Sequence, residues 1–213
     1  MFVHTYIKYL KHSKPYTKID FSASAYSIMR LFFGLELTPS VKLSIEKWRE
    51  INLPPLAGPV PAANFHITLA FLGTVPVHQQ EALLAQADRL TNQAFNLTID
   101  QMGYWPRPRT LWIGPSVVPV ALNNLAGNLS AIAGRLGLPG ENRDYVPHIS
   151  LYRKQASNPP VCLMQPDISA SFEQFCLFES RPGRQGVQYH VLARWPLDSG
   201  LSIREKLARG KLD

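Results

Sequence analysis

The five residues Phe65-His-Ile-Thr-Leu69 return later in the chain as Pro147-His-Ile-Ser-Leu151. A strand repeats its side-chain direction every second residue, so His66 and Thr68 share one strand face, and His148 and Ser150 share another. The context repeats as well. Arg30, opening the strand before the first motif, lies about as far ahead of His66 as Leu111 lies ahead of His148. Each stretch reads strand, helix, loop, strand. Two such units imply one α+β domain of two similar lobes facing each other across a cleft.

The periodicities around the motifs support this. Leu31, Phe33, Leu35 and Leu37 alternate on one strand face, with Phe32, Gly34 and Glu36 on the other. Thr38 and Pro39 are suited to open a helix, whose apolar side carries Val41, Ile45 and Trp48. Prolines 54, 55, 59 and 61 mark a loop. In the next strand alternation predicts Phe65, Ile67, Leu69 and Phe71 in the core, and His66, Thr68, Ala70 and Leu72 on the opposite face. A helix is expected from Pro76 to about Thr91, then a strand through Phe95, Leu97 and Ile99. A turn-rich segment over Gly103–Arg109 precedes a short strand at Leu111–Ile113. Leu122, Leu125, Leu129, Ile132 and Leu136 predict a helix over 119–136, stopped by Gly137. Further strands are expected over 145–152, 172–179 and 187–195, the last two joined by a turn at Arg181–Gly186.

The chain has 213 residues, 46% apolar and 17% charged, which suits a folded domain rather than disorder. No apolar run is long enough for a membrane span. Near the N-terminus His4, Lys8 and Lys11 interrupt Phe2, Val3 and Ile7, so no secretory h-region is apparent. Cys162 and Cys176 match no zinc or redox spacing, and two reduced thiols in a cytoplasmic protein are expected. The net charge of +7 favours anionic partners, although Lys8, Lys11, Lys14 and Lys18 supply much of it. Residues 1–27 show no sustained period. They are expected to be a poorly ordered extension, or the natural start is Met29. The domain is read as residues 28–198, followed by a charged tail over 199–213.

Two imidazoles in one cleft can divide proton donation and proton removal between them, because histidine titrates near neutrality. The hydroxyls of Thr68 and Ser150 are short donors suited to phosphate oxygens. Alone, each motif would be an ordinary histidine in a strand; the duplication in matched context is what points to chemistry. His4, His12 and His78 are expected in solvent. His190 lies on a strand but is followed two residues later by Leu192 rather than a hydroxyl. No Gly-x-Ser-x-Gly elbow, P-loop or Gly-x-Gly-x-x-Gly is present, and no cofactor is implied.

The paired motifs, together with Arg30-Leu-Phe-Phe33, Leu111-Trp-Ile-Gly114, Arg153 and the closing Tyr189…Arg194-Trp195, resemble the two-histidine phosphoesterase superfamily. More narrowly they resemble bacterial RNA 2′,3′-cyclic phosphodiesterases, also called 2′-5′ RNA ligases. The resemblance spans about residues 29–197, with Ser150 where many relatives have Thr. It implies a single bilobal α+β domain, two pseudo-symmetric lobes with mainly antiparallel sheets around a central cleft, and helices outside. It implies a metal-free, cofactor-free opening of a terminal 2′,3′-cyclic phosphate to a 2′-phosphate, with 2′-5′ ligation as a companion reaction. His66 would be the general acid and His148 the general base. Thr68 and Ser150 would hold phosphate oxygens. The family's arginine falls on Arg153, which strict alternation aims away from His148 unless a bulge after Leu151 turns it back; otherwise it is a solvated cation. Phe32, Tyr152 and Trp105 are candidates for base stacking, and Arg107, Arg109, Arg181 and Arg184 for tracking a phosphate backbone.

The expected partner is RNA with a cyclic phosphate end, or a small cyclic nucleotide, bound by a monomer with no membrane association. The competing expectations are a non-catalytic RNA-binding module, a phosphoesterase on another cyclic or 2′-5′ nucleotide, and a metallohydrolase using His66, His148 and His190.

Overall fold

Alternating apolar residues, three prolines placed at helix starts (Pro39, Pro76 and Pro119) and a run of bulges set the architecture of the chain. The computed structural model describes residues 29–140, 144–155, 159, 161–183 and 186–200. The expected N-terminal extension over 1–27, Arg184 and most of the tail lie outside the described residues.

Strand β1 (Met29–Glu36) leads into α1 (Pro39–Asn52), followed by a short 3₁₀ turn (Ala62–Asn64) and β2 (His66–Val75). Then come α2 (Val77–Ala87), β3 (Phe95–Ile99), β4 (Gln101–Trp105), β5 (Thr110–Gly114) and α3 (Val120–Arg135). The chain continues through β6 (Ile149–Tyr152), β7 (Ile168–Phe172), β8 (Gln174–Gly183) and β9 (Gly186–Pro196). Thr38 caps α1 by accepting the Val41 N–H at 3.4 Å, and Pro39 occupies the first turn, where no N–H is needed. Ile45 and Trp48 bury the inner side of α1. Leu122, Leu125, Leu129 and Ile132 are wholly buried along α3. Burial of each such side chain contributes about 1.5–3 kcal/mol.

The strands form a four-stranded sheet ordered β2-β1-β8-β9, a three-stranded sheet ordered β4-β5-β6, and the pair β3-β7. Pairing between these strands is antiparallel throughout. The two larger sheets are the two lobes. In each, the strand that opens a lobe's motif segment lies at the centre, β1 in one and β5 in the other, with the histidine-bearing segment beside it. Gly34 lies opposite Thr68, and Trp112 lies opposite Ser150.

The structure departs from simple alternation in β2. Gly34 pairs with Thr68 and Phe33 with Ala70, leaving Leu69 extra; Phe32 pairs with Phe71 and Leu31 with Gly73, leaving Leu72 extra. Each bulge inserts one residue and inverts the alternation beyond it. Ala70 and Leu72, read from sequence onto the motif face, are therefore buried in the core. Phe71, read as core, turns to the motif face and packs with Phe32 and Phe178. Other corrections are local. Gln101–Trp105 is a strand where turn residues were expected from Gly103, because pairing with β5 overrides the local signal. The expected strand over 172–179 divides at Glu173 between β7 and β8. The hairpin of β8 and β9 stays paired as far as Gly183 and Gly186, so the turn is tighter than Arg181–Gly186. Strand β6 begins at Ile149, one residue after His148. Among the described residues, no helix is long and apolar enough to cross a membrane.

Candidate active site

His66 stands at the first position of β2, half-buried. Its Nδ1 lies 2.7 Å from the Asn64 carbonyl oxygen and its Nε2 3.2 Å from Thr68 Oγ1. His148 repeats the arrangement: its Nδ1 lies 2.9 Å from the carbonyl oxygen of Val146. A carbonyl only accepts, so Nδ1 carries the proton in both rings, and Nε2 is the nitrogen left for chemistry.

Aromatic rings hold each imidazole. Phe32 lies 4.9 Å from the His66 ring, stacks on Phe178 at 5.0 Å, and Tyr189 meets His66 edge-on at 4.7 Å. In the other lobe Trp105 meets His148 edge-on at 4.4 Å, with Trp112 5.1 Å from Trp105. The Trp112 ring lies across Gly103, where a Cβ would come within 2.2 Å of it. Only glycine leaves that space.

Thr68 from one lobe and His148 from the other line a common cleft of about 250 Å³, together with Phe71, Trp105 and Tyr145. His66 sits behind Thr68 of this cleft, in a field of positive charge. Burial is the largest influence on its imidazole and pushes the pKa down to about 4. The bond to Asn64 opposes this, and the charges of Arg153, of His148 once protonated, and of Lys42 reinforce it. Those three groups come from the end of β6, the facing lobe and α1. Two standing cations, Arg153 and Lys42, beside a neutral imidazole are suited to an anion.

Arg153 reaches this field through a bulge. Leu111 pairs with Tyr152 while Trp112 pairs with Ser150, so Leu151 is an extra residue in β6. The inversion turns Tyr152 the other way. Tyr152 is only 6% exposed, in the core beneath the Arg49 guanidinium, 5.3 Å from its ring centre. The structure thus does not bring Tyr152 to the cleft, contrary to the stacking expectation. Phe32, at 4% exposure, is likewise a ring behind His66 rather than an open platform. Trp105 does line the cleft. Ser150 is half-buried on β6 opposite Trp112, in the place that Thr68 holds on β2 opposite Gly34. The chain enters the Arg153 turn past Gly58, at φ +65°, whose carbonyl accepts the Arg153 N–H at 2.9 Å.

Arg107 and Arg109 sit exposed in the turn between β4 and β5. The Arg181 guanidinium is committed to Glu179 at 2.6 Å. His190 is exposed on β9, while its neighbours Tyr189 and Val191 pack toward Phe32. Among the described residues no three His, Cys, Asp or Glu side chains are grouped to hold a metal ion, so the trio His66, His148 and His190 is not assembled. Sequence reasoning missed Lys42, Phe178 and Trp112. For Trp112 a signal existed: it alternates with the core residues Leu111 and Ile113, as Phe32 does with Leu31 and Phe33.

Two lobes of one α+β domain, each holding a carbonyl-anchored imidazole, one on the cleft wall and the other against Thr68 of that wall, have the layout of a two-histidine phosphoesterase. Residues 38–112 match the family model described as LigT-like phosphoesterase. The chain is 38% identical over 171 residues to an RNA 2′,3′-cyclic phosphodiesterase of Escherichia coli, covering 79% of this chain and 96% of that one. It is 28% identical to the RNA 2′,3′-cyclic phosphodiesterase of Thermus thermophilus, covering 79% and 90%. The crystal structure of E. coli LigT complexed with 3′-AMP superimposes with a TM-score of 0.74 at 38% identity, over 80% of this chain and 99% of that one. The chain belongs to the LigT-like RNA 2′,3′-cyclic phosphodiesterase family.

Proposed function

We propose that this chain hydrolyses the terminal 2′,3′-cyclic phosphate of RNA to a 2′-phosphate, using His66 and His148 as its proton-transfer groups. The observation that carries this is the matched anchoring of the two rings through Nδ1, with His148 on the cleft wall and His66 Nε2 against Thr68 of the same wall. Water attacks phosphorus while His148 Nε2 takes its proton. The bond from phosphorus to O3′ breaks, and His66 Nε2 delivers a proton to the departing oxygen. Thr68 and Ser150 hold non-bridging oxygens, and Arg153 and Lys42 offset the developing negative charge. At rest His66 is neutral, since burial holds it near 4. It takes up its proton as the anionic substrate arrives, because an adjacent anion raises an imidazole pKa. With a 5′-hydroxyl in the place of water, the same displacement forms a 2′-5′ linkage.

Residues 28–198 are the catalytic unit, complete in one chain. The two cysteines, Cys162 and Cys176, are free and buried, which fits a reducing compartment, and the cytoplasm is the proposed location.

The test is an oligonucleotide ending in a 2′,3′-cyclic phosphate, incubated with EDTA present. The expected product carries a 2′-phosphate. His66→Ala and His148→Ala should each lower turnover by roughly 10²–10⁴-fold while retaining binding. A 3′-phosphate product, or full activity in either variant, would overturn the assignment.

A further inference from the structure

The cleft extends beyond Thr68 and His148 to further walls. Phe71 and Trp105 present rings from opposite lobes, and Ser130, Asp144 and Tyr145 add polar groups. The Arg30 guanidinium lies 5.4 Å from the Phe71 ring centre, fixing that ring on the motif face where the β2 bulges turned it. The Tyr145 hydroxyl is buried and has no hydrogen-bond partner. A cavity with aromatic walls and a few convergent polar groups is the form of a small-molecule pocket.

Asp144 is the anomaly. A carboxylate facing an anionic substrate repels it unless N–H or O–H donors stand between. Asp144 is exposed at this cleft and has no ion-pair partner among the described residues, so its acceptor capacity is unspent. Nucleobase edges supply such donors unequally. Guanine offers N1–H and N2–H side by side, which one carboxylate accepts together. Adenine and cytosine offer an amino group beside a ring acceptor. Uracil offers one N–H flanked by two carbonyls that a carboxylate repels.

We propose that this end of the cleft is the base pocket of the terminal nucleotide, with Phe71 and Trp105 as its aromatic walls, and that Asp144 selects guanine by accepting from N1–H and N2–H. The proposal rests on the phosphodiesterase reading above.

The four nucleoside 2′,3′-cyclic monophosphates separate the two. Wild-type protein should turn over all four, with kcat/KM for the guanosine substrate roughly tenfold or more above that for uridine, carried mainly by KM. Asp144→Asn, at an exposed position that tolerates substitution, should bring the two within roughly threefold. Equal kcat/KM values across the bases in the wild type would overturn the pocket assignment and leave the phosphodiesterase reading intact. So would a guanosine preference that survives Asp144→Asn, or a loss shared equally by all four substrates. Failure of the wild type to turn over any of them would overturn both.

Discussion

His66 Nδ1 lies 2.7 Å from the carbonyl oxygen of Asn64, two residues earlier in the chain. That bond fixes the tautomer, while burial keeps the ring neutral, with its pKa at about 4 rather than the ordinary 6.5. The consequence for stability has a definite sign. Between pH 4 and 6.5 the unfolded chain binds a proton at His66 that the folded chain does not, so acid favours unfolding. Stability from this group is complete above pH 6.5 and is lost progressively as pH falls to 4. Urea titrations across that window should show stability rising with pH, and His66→Gln should flatten the His66 contribution to the slope. An unchanged slope in the variant would mean that the imidazole is not buried in its neutral form.

The division of labour between the histidines is open to a leaving-group experiment. A poor leaving group such as ribose O3′ needs a general acid; a nitrophenolate does not. With a 3′-deoxynucleoside 2′-(4-nitrophenyl phosphate), His66→Ala should recover most of the wild-type rate, and His148→Ala should remain impaired. The reverse pattern would exchange the two roles, with His66 the base.

The motif pair, the two lobes and most strands could be read directly from residue spacing. What could not be read came from bulges. Alternation assigned Phe71 to the core and Tyr152 to the cleft, and each assignment was inverted by one extra residue in a strand, at Leu69 and at Leu151. A bulge is fixed by how a strand meets its partner, so a single strand's sequence does not reveal it. The same limit hid Lys42, which sits on α1 with no local pattern to distinguish it from a solvated lysine. It is also why the Leu151 bulge could be named beforehand only as the condition for Arg153 to act.

Arg153 supplies the next prediction. Its charge presses on His66 together with that of Lys42. Removing it should weaken the hold on an anionic substrate and relieve the depression of the His66 pKa. Arg153→Ala is expected to raise KM by roughly tenfold or more, the scale of a lost charge-assisted contact, and to shift the His66 titration upward by NMR. Arg153→Lys should recover part of the binding because the point charge remains. A variant with unchanged KM and an unshifted His66 would return Arg153 to the solvent.

Gly103 separates support of the site from chemistry in it. The Trp112 ring occupies the space where a side chain at residue 103 would stand, and a Cβ would meet ring carbons at 2.2 to 2.7 Å. Trp112 supports Trp105, and Trp105 meets His148 edge-on. Gly103→Ala must therefore move Trp112, at an overpacking cost of about 1–3 kcal/mol. The displacement should pass through Trp105 to the His148 ring. Thermal unfolding should show the stability loss, and at a temperature where the variant is fully folded kcat should fall more than KM rises, because the base rather than the anion-binding groups is disturbed. Gly103→Ala combined with Trp112→Phe removes part of the clash and should recover stability relative to Gly103→Ala alone. If the double variant is no more stable than the single one, the ring is not what excludes a side chain at residue 103, and its link to His148 has no support.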